Sequence, residues 1–440
     1  MWYLVYNLVL FVTAPLVVLT LMVKKRCRRG LLQRMGIGLP VLEPAHQPVL
    51  WIHAVSLGEV LAVIPLVLGL RARYPFLKMK ISTVTETGRE AVEQRLSGIA
   101  DHCYLPLDWP WTVLRYVRWI RPAAFIFVET ELWPNLLRCL HRHGVPTILV
   151  NGRLSSRSFR HYRLIRGFMA RVLSTVSLCL VQSDRDLQRM TQLGMARNQV
   201  HRTGNMKFDQ GQHWEVNGIP RIKPGSIGLA LGEELIVAGS THAEEEEALL
   251  RCYERVCREY PTVVLLLAPR HIERADRLEN RVQAYGMKVV RRSRIQDQND
   301  WAPSAEGPRV IILDSRGELA SVYSWAWVAF VGGTLVPIGG HNLLEPAGWG
   351  KPVFFGPFTD HCSEIAGLLL QGGGGVQVQT GEELTELFLK SFRNRDWTAQ
   401  MGQAAREVVR EHQGVVQRNL DLIAEVLDSR IAQGQERFVS

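Results

Sequence analysis

Residues 327–350, WVAFVGGTLVPIGGHNLLEPAGWG, join an apolar run to a glycine-rich turn and then to a segment with helical spacing. An apolar run that ends in glycine predicts a buried strand, and the segment after the turn predicts a helix. Asn342 is placed to cap that helix, and Glu345 falls in its first turn. Strand, glycine turn and helix form the repeating unit of a parallel sheet covered by helices, so the stretch predicts an α/β fold.

The same unit recurs in two sets on either side of a Gly- and Pro-rich linker over 211–233. The chain of 440 residues is also too long for one ordinary core. We therefore predict two doubly wound, Rossmann-like domains with a cleft between them, one over 24–210 and one over 234–440. The predicted strands are 49–54, 78–85, 123–130, 147–152 and 178–183 in the first, and 234–240, 262–270, 309–315, 327–333 and 351–356 in the second.

The first 23 residues carry no charge. As a helix they would extend about 35 Å, enough to cross a hydrocarbon core of about 30 Å. The basic run KKRCRR follows them, which reverses the order found in a cleavable signal peptide. The sequence thus predicts a transmembrane anchor over 1–23 with the remaining chain on the cytoplasmic side, the alternative being a buried N-terminal helix.

The net charge of +10 favours an anionic partner, namely a membrane surface, a nucleic acid or a phosphorylated substrate. Nucleic acid is the weakest of these because no aromatic-interleaved basic motif or zinc module is visible. Seven scattered cysteines without a CxxC pair predict reduced thiols and no metal site. A basic cluster predicts either a solvated face or contact with lipid phosphates; it comprises Arg153, Arg157, Arg160, Arg163, Arg166 and Arg171.

In the second domain, polar residues follow several predicted strands, at the edge where open parallel sheets bind ligands. A cation beside glycine-rich amides suits a nucleotide phosphate, and Glu345 could accept hydrogen bonds from both ribose hydroxyls. The alternative is that the glycines only form turns and Glu345 only complements the helix dipole. The acidic run 244–247 is expected to do no more than that. The candidates are Ser240, Thr241, His242, Arg270, His271 and the GEL segment at 317–319.

In the first domain, carboxylates follow two predicted strands. Glu59 begins a helix, and the amides there are expected to keep it ionised, as a general base must be. Glu129 and Glu131 are two residues apart, so in an extended segment only one of them would reach the site. A base on one domain facing a nucleotide on the other is what sugar transfer requires.

Eight ordered motifs resemble the lipopolysaccharide Kdo (3-deoxy-D-manno-octulosonic acid) transferase family, membrane-associated glycosyltransferases of the GT-B fold. The resemblance implies inverting transfer of Kdo from CMP-Kdo to a lipid A precursor, lipid IVA, at the cytoplasmic face of the bacterial inner membrane. It implies neither a bound metal nor a cofactor. The motifs are WIHAVSLGEV, FVETELWPNLL, VNGRLSSRS, TGNMKFD, IVAGSTH, LLAPRHIER, GEL and VGGTLVPIGGHNLLEP.

By this resemblance Glu59 is the catalytic base, Glu129 a second carboxylate and Lys207 an active-site lysine, while Arg270, the GEL amides and Glu345 hold CMP, with Glu345 on the ribose. The segments DSR at 314–316 and TDHC at 359–362 depart from the family pattern, so Ser315, Arg316 and His361 are given no role. Together with the strand ends, the predicted donor-binding set is Ser240, Arg270, His271, Gly317, Glu318, Leu319, Gly339, Gly340, Asn342 and Glu345.

Two other functions stay open from the residues alone. One is a different GT-B enzyme, such as a UDP-sugar transferase or a UDP-N-acetylglucosamine 2-epimerase. The other is a membrane-tethered protein that binds phosphorylated lipids through its arginines and catalyses nothing. The sequence makes no prediction of oligomeric state.

Overall fold

The computed structural model describes residues 1–23, 29–39, 47–211, 222–230, 232–295 and 307–439. The chain forms two compact units, unit 1 with residues 1–210 and 413–440, and unit 2 with residues 211–412. Each contains a seven-stranded parallel sheet, which confirms the predicted α/β class. Residues 24–28 of the basic run and residues 212–221 and 231 of the predicted linker lie outside the described ranges.

Unit 1 has its strands in the order β3-β2-β1-β4-β5-β6-β7. They are β1 Val49–His53, β2 Lys78–Thr83, β3 Ala100–Tyr104, β4 Pro122–Val128, β5 Thr147–Gly152, β6 Leu178–Val181 and β7 Val200–Arg202. The helices are α1 Trp2–Val23, α2 Leu31–Arg34, α3 Leu57–Arg73, α4 Glu86–Arg95, α5 Pro110–Ile120, α6 Pro134–Arg142, α7 Ser156–Leu164, α8 Arg166–Leu173 and α9 Asp184–Gln192.

Unit 2 has its strands in the order β10-β11-β9-β8-β12-β13-β14. Its strands are β8 Glu234–Thr241, β9 Val263–Pro269, β10 Lys288–Arg291, β11 Arg309–Ile312, β12 Ala326–Val331, β13 Val353–Phe355 and β14 Gly375–Gln377. Its helices are α10 Ala243–Glu259, α11 Ala275–Ala284, α12 Leu319–Val322, α13 Leu344–Gly348, α14 Ser363–Gln371, α15 Gly381–Arg393 and α16 Arg395–Glu411. The last helix of the chain is α17, Val415–Val439.

Each sheet has a central point at which the strand order reverses, between β1 and β4 in unit 1 and between β8 and β12 in unit 2. In unit 1, β1 pairs with β2 on one side and with β4 on the other. In unit 2, β8 pairs with β9 and with β12. The connections that follow β1 and β4 run in opposite directions across the sheet, and so do those that follow β8 and β12. The carboxyl ends of each of these two pairs therefore border a crevice where ligands bind. The loops after β1 and β4, and those after β8 and β12, are therefore the first places to look for a site.

The ten predicted strands all form, but four further strands were missed. These are β3, β7, β10 and β14, and they are the outer strands of the two sheets. Their sequences, ADHCY, VHR, KVVR and GVQ, are short and partly polar. A central parallel strand is buried on both faces and needs a continuous apolar run, whereas an outer strand does not.

Helices cover both faces of each sheet, and successive residues of a strand enter different cores. Leu50 and Ile52 of β1 pack in the core that contains α3, while Trp51 packs with Tyr116 and Phe125 in the opposite core. This double burial fixes the register of the central strands, and with it the positions of the loops at their carboxyl ends.

The predicted second domain ran to residue 440, but residues 413–440, which contain helix α17, belong to unit 1. Leu420, Ile423 and Leu427 of α17 are buried in the core of unit 1. The Asp209 carboxylate also accepts the backbone N–H groups of Gly414 and Val416, at 2.7 and 2.5 Å. The chain thus returns to its first unit, because the apolar face of α17 completes the cover on α3.

Helix α1 occupies most of the predicted anchor. Its first two turns pack on unit 1, where Trp2, Tyr3 and Tyr6 surround Phe168 and the Tyr6 hydroxyl donates to Asp108 at 2.8 Å. Its other face exposes Leu4, Val5, Leu8, Val9, Phe11, Val12, Leu16 and Leu19. Within the described ranges, no helix combines the length and the apolar character that crossing a membrane requires.

Candidate active site

Glu59 lies at the start of α3, directly after β1. The backbone N–H of Val55 donates to its Oε2 at 2.8 Å, and the Ser56 hydroxyl donates to its Oε1 at 3.0 Å. Burial raises the pKa of the Glu59 carboxyl to about 7, against the lowering effect of the Val55 amide. The amides at the start of the helix were expected to keep this carboxyl ionised at neutral pH, but burial outweighs the amide hydrogen bond and brings the pKa close to neutrality. A pKa near neutrality suits a general base.

Glu129 and Glu131 follow β4, the strand next to β1. Both carboxylates contribute to the raised pKa of Glu59, Glu129 more than Glu131. The predicted alternative, in which only one would reach the site, fails because Glu129 has a φ of 58° and the segment is not extended. The alternation of an extended strand does not apply to such a turn. Three carboxylates consequently share the carboxyl edge at the reversal point of unit 1.

Lys207 lies in the short 3₁₀ turn Met206–Gly211 after β7. The backbone N–H of Met206 donates to Asn151 Oδ1 at 3.0 Å, which ties this turn to the carboxyl end of β5. Among the described residues, the Nδ2 of Asn151 is buried and has no hydrogen-bond partner. The predicted lysine thus lies on the same edge of the sheet as Glu59. The turn that contains it is bound to Asn151, whose side-chain Nδ2 is the unused donor.

Close packing within unit 2 requires some of the glycines in the segment after β12, whether or not the segment binds a ligand. A Cβ on Gly332 would lie 2.6 Å from the carbonyl oxygen of Ser240, so β8 and β12 approach too closely for a side chain. The Gly340 amide donates to Gly333 O at 2.8 Å, and Gly339 and Gly340 have φ values of 102° and 82°. The amide of Gly340 is therefore engaged in the turn.

Glu245 of α10 occupies the other amides of this segment. Its carboxylate accepts the backbone N–H groups of Gly333, Thr334 and Leu335 at 2.7 to 2.9 Å and that of His242 at 3.0 Å. Glu246 next to it pairs with Arg274 at 2.8 Å, and both glutamates are about 1% exposed. The expectation that residues 244–247 only complement a helix dipole is therefore wrong for these two, which hold the glycine segment and the loop after β9.

Cationic and imidazole groups gather beyond β8, β9 and β12. Nε2 of His242 lies 3.0 Å from Nε2 of His341, and the planes of the two rings are nearly parallel, with an interplanar angle of 6°. The ring of His271 meets that of His242 edge-on, with 6.1 Å between centroids. Exposed Arg270 is near enough to contribute to a lowered pKa of His341. Ser240, with a φ of 56°, is the penultimate residue of β8, two positions before His242.

Glu345 lies in the first turn of α13. Asn342 Nδ2 donates to its Oε1 at 3.2 Å, while Asn342 Oδ1 accepts the N–H of Leu344 at 3.1 Å. Asn342 thus binds the first turn from just outside it, and Leu343 takes the cap position that was predicted for Asn342. Burial raises the pKa of the Glu345 carboxyl to about 7.

The GEL segment, Gly317 to Leu319, lies between β11 and α12. The Glu318 carboxylate is held by Arg292 at 2.9 Å and by the Ser315 hydroxyl. Arg316 pairs with Glu273, and the His361 amide donates to Gly339 O at 2.8 Å. The three residues that depart from the motif pattern thus make contacts within unit 2. No three His, Cys, Asp or Glu residues in the described ranges are arranged to hold a metal ion.

Comparison with known proteins finds a relative that matches almost the whole chain. A 3-deoxy-D-manno-octulosonic acid transferase of Haemophilus influenzae is 34% identical over 436 residues, which cover 98% of this chain and 100% of the relative. The chain belongs to the 3-deoxy-D-manno-octulosonic acid transferase family. A family model described as "3-Deoxy-D-manno-octulosonic-acid transferase (kdotransferase)" matches residues 29–210, which lie in unit 1.

Other Kdo transferases match less of the chain. That of Aquifex aeolicus is 32% identical and covers 76% of this chain and 83% of the relative. A structure described as a putative UDP-N-acetylglucosamine 2-epimerase from Listeria monocytogenes has a TM-score of 0.58 over 87% of this chain and 97% of its own. At 13% identity that likeness shows the GT-B fold alone. Its relatives make this protein a glycosyltransferase of the Kdo transferase family. This excludes the epimerase and the non-enzyme alternatives.

Sequence reasoning left Asn151 and His341 of this Kdo transferase out of the candidates, and it listed His242 as a candidate without including it in the predicted donor-binding set. Asn151 lies in one of the eight motifs, but its buried amide is visible only in the structure. His242 and His341 each follow a strand that borders the reversal point of unit 2, and strand order alone makes them neighbours. The signal available was a histidine directly after a predicted strand for His242, and a histidine within one of the eight motifs for His341.

Proposed function

We propose that this Kdo transferase moves Kdo from CMP-Kdo to a hydroxyl of a lipid A precursor, with inversion and without a metal. The observation that carries the proposal is the Glu59 carboxylate, held by the Val55 amide and the Ser56 hydroxyl with its pKa raised to about 7. A carboxylate of this kind can take a proton from a sugar hydroxyl at neutral pH. Unit 1 would bind the acceptor and unit 2 the donor.

In this reaction Glu59 removes the hydroxyl proton as the acceptor oxygen attacks the anomeric carbon of Kdo. The bond from that carbon to the phosphate oxygen breaks, and CMP leaves with the electron pair. Attack from the face opposite CMP inverts the anomeric configuration. The negative charge that develops on the phosphate needs fixed donors, and the exposed Arg270 and the imidazoles beside it are placed on unit 2 to supply them.

A direct test incubates the purified protein with CMP-Kdo and a tetraacylated lipid A precursor and measures the mass of the lipid product. One or more added Kdo residues would support the proposal, and their number is read from the mass increment. Unchanged lipid from protein that binds CMP would contradict the acceptor assignment. Transfer from a UDP-sugar in its place would contradict the donor assignment.

The ribose contact gives a sharper test of the donor site. We expect Glu345→Gln to weaken CMP binding by about 10- to 100-fold at pH 8, because an ionised acceptor of ribose hydroxyls contributes about 1.5 to 3 kcal/mol per bond. The pH is chosen because burial raises the pKa of Glu345 to about 7, so the carboxylate is ionised at pH 8. Calorimetric titration with CMP and with 2′-deoxy-CMP provides the measurement.

The comparison of the two nucleotides separates a ribose contact from a general loss of structure. The wild type should prefer CMP to 2′-deoxy-CMP, and Glu345→Gln should lose most of that preference. Glu382→Gln, on the exposed side of α15, is the matched control and should bind like the wild type. An unaltered preference in Glu345→Gln would show that this carboxylate does not contact the ribose.

We also propose that unit 1 attaches to the cytoplasmic surface of the inner membrane through α1 and the basic cluster on α7 and α8. The exposed apolar residues of α1 recur at helical spacing, and Phe11 is 72% exposed. Leu164, at the end of α7, is 83% exposed, and the arginines at 157, 160, 163, 166 and 171 all face solvent. Apolar residues beside exposed arginines suit an anionic lipid surface. The single-pass anchor stays a prediction.

The apolar face of α1 can be tested without disturbing its packed face. The double variant Leu8→Ser and Phe11→Ser removes two exposed apolar side chains, each able to contribute about 1.5 to 3 kcal/mol in lipid. We expect at least about a tenfold loss of partitioning onto vesicles of phosphatidylethanolamine and phosphatidylglycerol, measured by flotation. Leu370→Ser, an exposed apolar position in unit 2, should float like the wild type. Equal flotation of all three proteins would overturn this attachment.

A further inference from the structure

Two histidine rings in unit 2 share a hydrogen bond that only one proton can occupy. With 3.0 Å between Nε2 of His242 and Nε2 of His341, one nitrogen must donate and the other must accept. Two N–H groups could not point at each other over this distance. The pair therefore carries no charge when each ring holds one proton, and it gains a charge only when a ring nitrogen outside the shared bond is protonated.

The surroundings of the pair decide when that second protonation occurs. Burial and nearby cations lower the pKa of both rings, that of His341 to about 4. Glu245 raises the pKa of His242, but its oxygens are already filled by four backbone amides. The groups that act on the two rings are Glu244, Glu245 and Arg274 for His242, Arg270 and His361 for His341, and His271 for both.

This cluster lies where a ligand of unit 2 is expected. His242 follows β8 and His341 follows β12, the two strands at which the order of the sheet reverses. Arg270 and His271 follow β9, the neighbour of β8. Apart from Glu244 and the engaged Glu245, the groups around the rings are cations or imidazoles, so an anion placed among them would raise the pKa of the rings against the burial and the repulsion that lower it.

We propose that His242 and His341 form a proton-linked anion site for the phosphodiester of the donor nucleotide, and that the pair takes up one proton from solvent when this anion binds. The inference rests on the proposed function, because it takes a sugar nucleotide as the ligand of unit 2. The proton places a positive charge beside the phosphate that leaves as CMP. It also makes donor affinity fall as pH rises, in contrast to a site that relies on arginine alone.

The test uses cytidine 5′-(methyl phosphate), whose phosphodiester keeps one negative charge across the neutral range. Calorimetric titrations at pH 5.5, 6.5 and 7.5, each in two buffers with different ionisation enthalpies, give the affinity and the number of protons taken up. Ionisation of Glu345, which favours ribose binding, gives a pH slope of the opposite sign. The decisive quantity is therefore the difference between the wild type and His341→Gln, which keeps hydrogen-bonding groups but cannot be protonated.

We expect the wild type to take up more protons than His341→Gln, by close to one at pH 5.5, and its Kd to rise relative to the variant by up to about tenfold per pH unit. His242→Gln should behave like His341→Gln and keeps the inference testable if one variant misfolds. His412→Gln, at the end of α16, is the matched control and should follow the wild type.

Identical slopes and identical proton uptake in the wild type and both pair variants would overturn the inference while leaving the donor assignment intact. Failure of the wild type to bind the probe at every pH would overturn the cytidine donor itself, and the histidine inference with it. The two failures are therefore distinguishable in one set of titrations.

Discussion

Replacement of Glu59 by glutamine is expected to lower the turnover of Kdo transfer by about 10²- to 10⁴-fold, the usual contribution of a general base. Glutamine keeps an oxygen that can accept the Val55 amide, so the start of α3 should retain its structure. The side chain can no longer take the proton of the acceptor hydroxyl. Turnover is measured with CMP-Kdo and a tetraacylated lipid A precursor, and CMP binding should stay within about twofold of the wild type because the proposed nucleotide contacts are on unit 2.

The pH profile supplies a second readout for Glu59. A base must be ionised, and burial raises the pKa of this carboxyl to about 7, so wild-type turnover should rise with pH through that value. The residual activity of Glu59→Gln should lack this limb. Glu90→Gln, exposed on α4 of the same unit, is the matched control. Wild-type turnover in Glu59→Gln, with an unaltered pH profile, would remove Glu59 from the chemistry.

Replacement of Glu245 by alanine is expected to destabilise unit 2 by about 3 kcal/mol or more. The carboxylate accepts four backbone N–H groups, and a buried amide that loses its acceptor costs about 1 to 3 kcal/mol. Its site is closed to solvent, since Glu245 is 1% exposed. Urea denaturation measures the loss of stability, and hydrogen exchange of a peptide that contains residues 333–335 measures where it occurs.

Glu244→Ala is the control for Glu245→Ala. Glu244 is the exposed neighbour in the same first turn of α10, so its removal costs only its interaction with the helix dipole, about 0.3 to 1 kcal/mol. A large difference between the two variants would show that amide binding, and not helix capping, is the role of this acidic run. Equal stability and equal exchange in both would contradict the structural assignment of Glu245.

Much of the fold could be predicted from local patterns, and the misses have physical reasons. Most of the ten central strands contain a continuous apolar run because helices cover both of their faces. The outer strands β3, β7, β10 and β14 are short and partly polar, so only pairing with a neighbour identifies them. The sequence of helix α17 contains apolar residues at helical spacing, but it does not indicate which of the two units they pack on.

The candidate site shows the same division. Glu59, Arg270 and Glu345 could be selected from the sequence because each follows a predicted strand and matches a motif. Their protonation could not, since burial moves the pKa of Glu59 and of Glu345 to about 7 in spite of hydrogen bonds that lower it. Glu245 was set aside as a dipole partner because its four amide donors come from the loop after β12 and from its own helix cap, a combination no local pattern contains.

The sequence by itself determined the α/β class, the strand runs, the residue types at the strand ends and membership of the Kdo transferase family. These are properties of local periodicity and of motifs in a fixed order. The tertiary structure decided which strands are neighbours, and so placed Glu129 and Glu131 beside Glu59 and His341 beside His242. Strand order and side-chain protonation depend on contacts between residues tens of positions apart and on exclusion of water, which a linear pattern does not record.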